Sequence, residues 1–320
     1  MTDAILSVRD LQVHFAVRGA FGRRVGAIKA VDGVSFDLMP GEVFGLVGES
    51  GCGKSTLGKT IMGINQPTAG EIRFEGQQID RLSPAARRAV RRSLQYAYQD
   101  PGASLDPRWK IGSSLREPLM IHTELDATAR DQRIRSILEA VGLPDTHLEL
   151  YPHEISGGQQ RRVGLARILT LHPKVVILDE PTSGLDVSVQ ATVLALFRDL
   201  RERFALTYML ISHDLAVVRT MCSRVAVMYL GRIVETGPTE EIFERPRHPY
   251  TRSLLAAIPK IGGARVTRNF WLQGEPPDPA NLPSGCRFRT RCPKATDLCA
   301  KEDPAPRPLS QALVACHFPD

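Results

Sequence analysis

Eight residues, Gly48-Glu49-Ser50-Gly51-Cys52-Gly53-Lys54-Ser55, follow the spacing G-x-x-x-x-G-K-[ST], and Thr56 continues them into a helix-like segment ending at Gly63. Glycines so placed let the backbone turn tightly enough for successive N–H groups to converge on phosphate oxygens. A helix that follows adds the positive end of its dipole. Lys54 is placed to neutralise β- and γ-phosphates and Ser55 to ligate Mg²⁺, so Gly48–Thr56 predicts a nucleotide cradle. Cys52 reads as a small filler within it. A second constellation follows the apolar run Val175–Leu178, which delivers Asp179 and Glu180 at the C-terminal edge of a strand, where open α/β sheets bind ligands. Asp179 suits a magnesium shell and Glu180 suits polarising an attacking water. Either acid alone would read as a helix cap; the lysine loop makes the pair catalytic.

A third group, Ser156-Gly157-Gly158-Gln159 after Ile155, precedes a helical pattern of Val163, Ala166 and Leu169. Ser156 is a ready N-cap, and the glycines leave the first helical N–H groups open, a second anion-binding helix start. One nucleotide rarely needs two. The economical solution is a head-to-tail dimer in which this end faces the γ-phosphate held by another subunit; the plain alternative is a capped helix. Four of the six cysteines, Cys286, Cys292, Cys299 and Cys316, crowd into a proline-rich terminal stretch too small to build much core, which calls for a metal or another staple. Four thiolates fit Zn²⁺ or an iron–sulfur cluster, and the absence of C-x₂-C pairs weighs against zinc. Cys222, away from the group, reads as a core residue.

The elements that must position these residues can be read from periodicity. Ile5, Leu6, Val8, Leu11, Val13 and Phe15 predict a first strand, Arg18–Lys29 an extended loop, and Val31–Leu38 a second strand closed by Pro40-Gly41. Val43–Val47 is continuously apolar, as a buried parallel strand is. Ile72 and Phe74 predict an antiparallel hairpin added to the main sheet. Ile134, Ile137, Leu138 and Val141 mark a helical insertion between about Asp106 and Glu154. Strand signals return at Val175–Leu178, Thr207–Ile211 and Val225–Tyr229, with a helix over Val187–Arg203. Strands alternating with helices imply a mainly parallel α/β sheet. Beyond about Arg245 proline rises, cysteines cluster and periodicity weakens, which predicts a boundary.

Hydrophobic residues make up 42% and charged residues 24% of the chain. This balance excludes a disordered tail, a collagen-like repeat and a pure coiled coil. The longest apolar run, Val225–Gly231, falls far short of the roughly 20 residues of a membrane-spanning helix. Met1–Asp10 shows no cationic stretch leading into an apolar one, so a cytoplasmic protein without a secretory signal is expected. A net charge of +6 suits a phosphate-bearing ligand or an anionic surface and specifies neither. Arg87–Arg88, Arg91–Arg92 and Arg161–Arg162 read as solvated helix faces.

The loop at Gly48–Ser55, the Ser156–Gln159 stretch and the Val175–Glu180 strand, in that order, resemble the ATPase subunit of an ABC transporter over most of the chain. The resemblance implies a P-loop NTPase (RecA-like) α/β core with an antiparallel β subdomain, a helical insertion and a small cysteine-containing C-terminal extension. In its terms the nucleotide-binding domain covers 1–245, with a helical subdomain at about 106–160, and the C-terminal domain covers 246–320. It implies that ATP and Mg²⁺ bind at Gly48–Thr56, that Gln99 in Tyr98-Gln99-Asp100-Pro101 senses magnesium and water, and that Asp186 in Ser183-Gly184-Leu185-Asp186 communicates between two sites. His213 is implied to contact the γ-phosphate. Ile155 stands where the family usually has leucine. Phe15 is the candidate to stack on adenine, with Phe21 the alternative.

Within the family, Gln99–Arg108, Leu185–Gln190 and His248-Pro249-Tyr250-Thr251 are similar to the oligopeptide/dipeptide (and nickel) importer group, above all its second ATPase subunit. That implies a heterodimer with a related ATPase on two membrane permeases, an extracytoplasmic solute-binding protein, a peripheral place on the cytoplasmic face of the inner membrane, and no nucleic-acid partner. It also implies a [4Fe-4S] cluster on the four terminal cysteines, with Zn²⁺ the alternative. A soluble ABC ATPase acting on nucleic acid or ribosomes is the rival; the long coiled-coil insertion or second cassette typical of such proteins is not seen. No Asn-Lys-x-Asp guanine reader occurs, which argues against a small GTPase.

Overall fold

The computed structural model describes residues 3–19, 23–98, 105–257 and 274–320, which fall into two compact units, Met1–Asp80 with Leu210–Asp320, and Arg81–Met209. In the first unit, β1 (Leu6–Arg18) pairs antiparallel with β2 (Arg24–Leu38), Leu6 opposite Leu38 and Phe15 opposite Ile28. Its other edge pairs with β4 (Ala69–Phe74), which continues into β5 (Gln77–Gln78), giving the order β2-β1-β4-β5. Leu6, Val8, Leu11 and Val13 alternate inward and are fully buried. Two expectations are corrected here. The Arg18–Lys29 loop is largely strand, because backbone pairing of Ala16 with Ala27 and Val17 with Gly26 extends the hairpin past the end of the apolar alternation. The Ile72–Phe74 hairpin joins this antiparallel sheet rather than the main one, because its partner is β1.

The main sheet of this unit is built on β3 (Val43–Val47), buried at every position and parallel to β9 (Arg224–Tyr229). Helix α1 (Lys54–Ile61) leaves the C-terminal end of β3 through the glycine loop. Strand β10 (Arg232–Pro238) returns antiparallel to β9. The C-terminal β12 (Ala312–Val314) adds to β10, Glu235 opposite Val314, and β11 (Arg307–Leu309) closes that edge. The cysteine-bearing segment is therefore stitched by backbone hydrogen bonds to the sheet that carries the loop. Helices α7 (Leu215–Met221), α8 (Thr239–Glu244), α9 (Pro249–Ala256) and α10 (Asp297–Lys301) complete the unit.

The second unit opens with α2 (Pro84–Ser93), capped by Ser83, and β6 (Leu94–Ala97). Helices α3 (Ile111–His122) and α4 (Ala127–Ala140) form the expected helical insertion, followed by 3-10 turns at Asp145–Glu149 and Pro152–Glu154. Helix α5 (Gly157–Leu169) buries Val163, Ala166 and Leu169, the stripe its sequence spacing announced. Strand β7 (Val175–Asp179) is buried throughout and runs parallel to β6. After α6 (Val187–Phe204), β8 (Thr207–Ser212) carries the chain back to the first unit. Among the described residues, no helix is long and apolar enough to cross a membrane.

Candidate functional site

Packing dictates the glycine loop of the first unit. A Cβ on Gly48 would lie 2.1 Å from the Met228 carbonyl oxygen, and one on Gly53 2.0 Å from that of Ala30. Gly53 also has φ of 108°, the left-handed region that favours glycine, and from there α1 starts with its first N–H groups turned to the loop. The buried Lys54 curls over this loop. Its Nζ donates to the Gly48 carbonyl at 2.8 Å and the Glu49 carbonyl at 3.0 Å. Ser50 and Gly51 form the exposed apex. Cys52 is the buried filler expected, its thiol pKa raised by burial, and Cys222 is a core thiol pushed up to about 12 for the same reason.

Residues far along the chain hold the loop's shoulders. Tyr250 Oη accepts the Glu49 N–H at 3.0 Å, and the Gly231 N–H donates to the Cys52 carbonyl at 2.8 Å. Arg291 grips the Glu49 carboxylate with both guanidinium nitrogens, at 2.7 and 3.0 Å. That hydrogen-bonded carboxylate raises the Arg291 pKa still further. No spacing rule joins residues so far apart, so sequence reasoning missed Tyr250, Arg291 and Gly231 as partners of the loop. The only local hint was the His-Pro-Tyr stretch.

His213 lies exposed just beyond β8. Phe15 is 44% exposed on the β1–β2 hairpin, paired with Ile28, which suits a face left open for a flat ring. Gln99 and Phe21 lie outside the described residues.

In the terminal segment, Cys286, Cys292, Cys299 and Cys316 line one small cavity with Phe288 and His317. The Cys286 N–H donates to the Cys299 carbonyl at 2.8 Å. Burial raises the thiol pKa of Cys286 and Cys292, and that of Cys316 to about 11. Four soft sulfur donors around one cavity match an iron–sulfur or zinc site in kind. Among the described residues, no group of three or more His, Cys, Asp or Glu is arranged to hold a metal ion.

The second unit carries the acids and the second helix start. Asp179, 6% exposed at the end of β7, accepts a hydrogen bond from Tyr96 Oη at 2.5 Å. Burial, then that carboxylate, raises the Tyr96 pKa, so the phenol stays a donor. Tyr96 is a further partner that sequence reasoning missed; its signal was a polar-tipped aromatic on the buried strand β6. Glu180 follows at φ 53°, a left-handed conformation that costs a non-glycine residue on the order of 1–3 kcal/mol and clusters at functional sites. Its carbonyl accepts the Ser183 N–H at 3.1 Å, making a tight turn.

At the start of α5, Ser156 Oγ accepts the Gln159 N–H at 3.3 Å and Gln159 Oε1 accepts the Ser156 N–H at 2.9 Å, a reciprocal capping box. A Cβ on Gly157 or Gly158 would meet nothing within 4 Å. Asp186 caps α6, accepting the Val189 N–H at 2.8 Å and the Ser188 hydroxyl at 2.7 Å; those bonds, the Val189 one foremost, lower its pKa. A largely apolar groove of about 650 Å³ in this unit is lined by Tyr96, Tyr98, Pro118, Ile121, Leu165 and Val193, among others.

Comparisons with known proteins agree with this geometry. Residues 31–183 match the ABC transporter family, and residues 234–299 match the oligopeptide/dipeptide transporter C-terminal region. The chain is 46% identical over 315 residues to the di/tripeptide transport ATP-binding protein DppF of Pseudomonas aeruginosa, covering 98% of each chain. It is 47% identical over 322 residues to the oligopeptide transport ATP-binding protein AppF of Bacillus subtilis, covering 99% of this chain and 98% of that protein. Among solved structures it is similar to cbiO1 of Clostridium perfringens, part of an ABC transporter complex, with TM-score 0.65 and 29% identity over 76% of this chain and 92% of that one.

Proposed function

Since the chain belongs to the ATP-binding subunits of ABC transporters, we propose that it hydrolyses ATP to drive uptake of di- or oligopeptides, or a related solute, through membrane permeases. The observation that carries the reading is the loop from Gly48 to Lys54, where Gly48 and Gly53 have no room for side chains and the lysine is already folded over the loop. The relatives' names and the C-terminal match supply the peptide class.

The residues divide the work as follows. Gly48, Glu49, Ser50, Gly51, Cys52, Gly53, Lys54, Ser55 and Thr56 form the seat for the phosphates, and Phe15 stacks on the base. Ser55, Asp179 and Gln99 hold Mg²⁺, which when bound neutralises phosphate charge. Tyr96 keeps Asp179 oriented by taking one of its oxygens. Glu180 orients a water for in-line attack, while Lys54 and His213 stabilise charge on the γ-phosphate. Ser156–Gln159 closes over the nucleotide of a neighbouring ATPase subunit, a related heterodimer partner, and Asp186 links the two sites. Binding favours the closed dimer, and hydrolysis releases it, a population shift that the Gln99 region passes to permease helices. The apolar groove beside Tyr98 is suited to receive such a helix.

We assign residues 1–245 to the nucleotide-binding domain and 246–320 to a C-terminal domain whose four cysteines hold a [4Fe-4S] cluster, Zn²⁺ being the alternative. A cluster there staples a segment with little core of its own. The assembly includes an extracytoplasmic solute-binding protein and sits peripherally on the cytoplasmic face of the membrane.

Glu180→Gln tests the reading: ATP binding is retained while turnover falls by about a thousandfold. Near-normal hydrolysis in that variant removes the water-orienting role. Iron and sulfide analysis of anaerobically purified protein tests the cluster, and stoichiometric zinc without iron overturns it.

A further inference from the structure

The nucleotide loop has an anchor that its own motif does not contain. Arg291 lies 242 residues beyond Glu49, yet both of its terminal nitrogens bind that carboxylate, at 2.7 and 3.0 Å. The Arg291 side chain is only 4% exposed, so it has little freedom to swing away from the 24% exposed Glu49. Its guanidinium stands over the Tyr229 ring, 5.9 Å from the centroid. Tyr229 packs on Tyr250 at 4.6 Å and on Phe288 at 5.3 Å, and Tyr250 is the residue whose hydroxyl accepts the Glu49 N–H. Glu49 is thus held by both side chain and backbone, from one aromatic cluster.

The same residue forms part of the lysine's seat, because the Glu49 carbonyl accepts from Lys54 Nζ beside the Gly48 carbonyl and the Cys52 sulfur. Any shift of Glu49 moves the lysine's seat. The segment bearing Arg291 is itself anchored within the first unit a second time. Arg287, 8% exposed, ion-pairs with Asp32 and donates to the Leu230 carbonyl. Arg287 directly follows Cys286, and Arg291 directly precedes Cys292. The cysteine segment therefore presents two buried arginines to the cassette, one of them to the phosphate loop.

We propose that Arg291 is a positioning residue for ATP: by clamping Glu49 it holds the nucleotide loop in its phosphate-binding shape, so the cysteine-bearing segment sets nucleotide affinity. This rests on the ATPase reading above but names a device outside the ATPase motifs. Breaking the clamp loosens the loop before nucleotide arrives, so binding must then reorder it, and affinity falls while the chemical step, once the loop is seated, is little changed.

The test uses two measurements: amide hydrogen exchange across residues 48–53 of the full chain without nucleotide, and steady-state hydrolysis of MgATP in the assembled transporter. Arg291→Ala is expected to speed exchange in the loop and to raise KM at least about fivefold with kcat within about twofold. Arg291→Lys keeps the charge but loses the two-pronged fork and falls between Ala and the parent. Glu49→Gln reproduces the KM effect, and combining it with Arg291→Ala adds nothing further, because both break one contact. Parent KM and parent loop exchange in a folded Arg291→Ala chain overturn the proposal, as does full additivity of the double variant. If Arg291→Ala fails to fold, Arg291→Lys decides by the same two readouts. If the assembled transporter does not hydrolyse MgATP but loop exchange still responds to Arg291, the ATPase reading fails and the clamp stands.

Discussion

A methyl group placed on Gly53 would land 2.0 Å from the Ala30 carbonyl oxygen, whereas on Gly157 or Gly158 it would touch nothing within 4 Å. Both regions put glycine at a helix start, and the sequence alone treats them as two versions of one device. The structure separates them by what surrounds the backbone. In the first unit the two ends of the loop are buried against β2 and β9, so Gly48 and Gly53 are required by this chain's own packing, while Gly51 at the exposed apex is held to glycine only by its positive φ. In the second unit the start of α5 is exposed and already capped by its own side chains, and among the described residues no contact explains the glycines. The first is a finished cradle. The second is an exposed, self-capped helix start with open space beside its glycines.

Four substitutions break or sharpen that contrast. Gly53→Ala forces a Cβ into a backbone oxygen that has no easy way to move, and should lower stability by about 4 kcal/mol and abolish ATP retention, read by urea titration and equilibrium dialysis. Tyr96→Phe removes the hydroxyl that holds the buried Asp179 carboxylate and should cost about 2 kcal/mol, with a higher Mg²⁺ requirement for turnover. Gly158→Leu is the discriminating case: the urea midpoint should stay within about 0.5 kcal/mol of the parent, while ATP turnover in the assembled transporter falls at least about tenfold. Unchanged turnover would make the α5 start an ordinary capped helix. Ser156→Ala removes half of the capping box and should cost about 1 kcal/mol of stability.

Much of this was legible before the structure. The β3 run, the α5 stripe and the Ser156–Gln159 box depend on residues within one or two turns of each other, and short-range order leaves a period or a fixed offset in the sequence. The Arg18–Lys29 stretch was misread because an exposed hairpin needs backbone pairing and not an apolar alternation. Asp186 was assigned a signalling role by resemblance; the structure adds that it caps α6. The strain at Glu180 was invisible, since nothing in Asp-Glu-Pro announces a left-handed backbone.

A phosphate loop, a strand ending in two acids and a glycine-flanked helix start were all readable from residue order, because each is a local pattern whose residue types are chosen by backbone geometry. Tertiary structure alone decided which distant residues hold those parts in place: Arg291 on Glu49, Tyr250 on the Glu49 amide, Tyr96 on Asp179. Such partners are selected by position in space, and a buried charge or hydroxyl can be satisfied by any suitable group the fold brings near, at any separation along the chain.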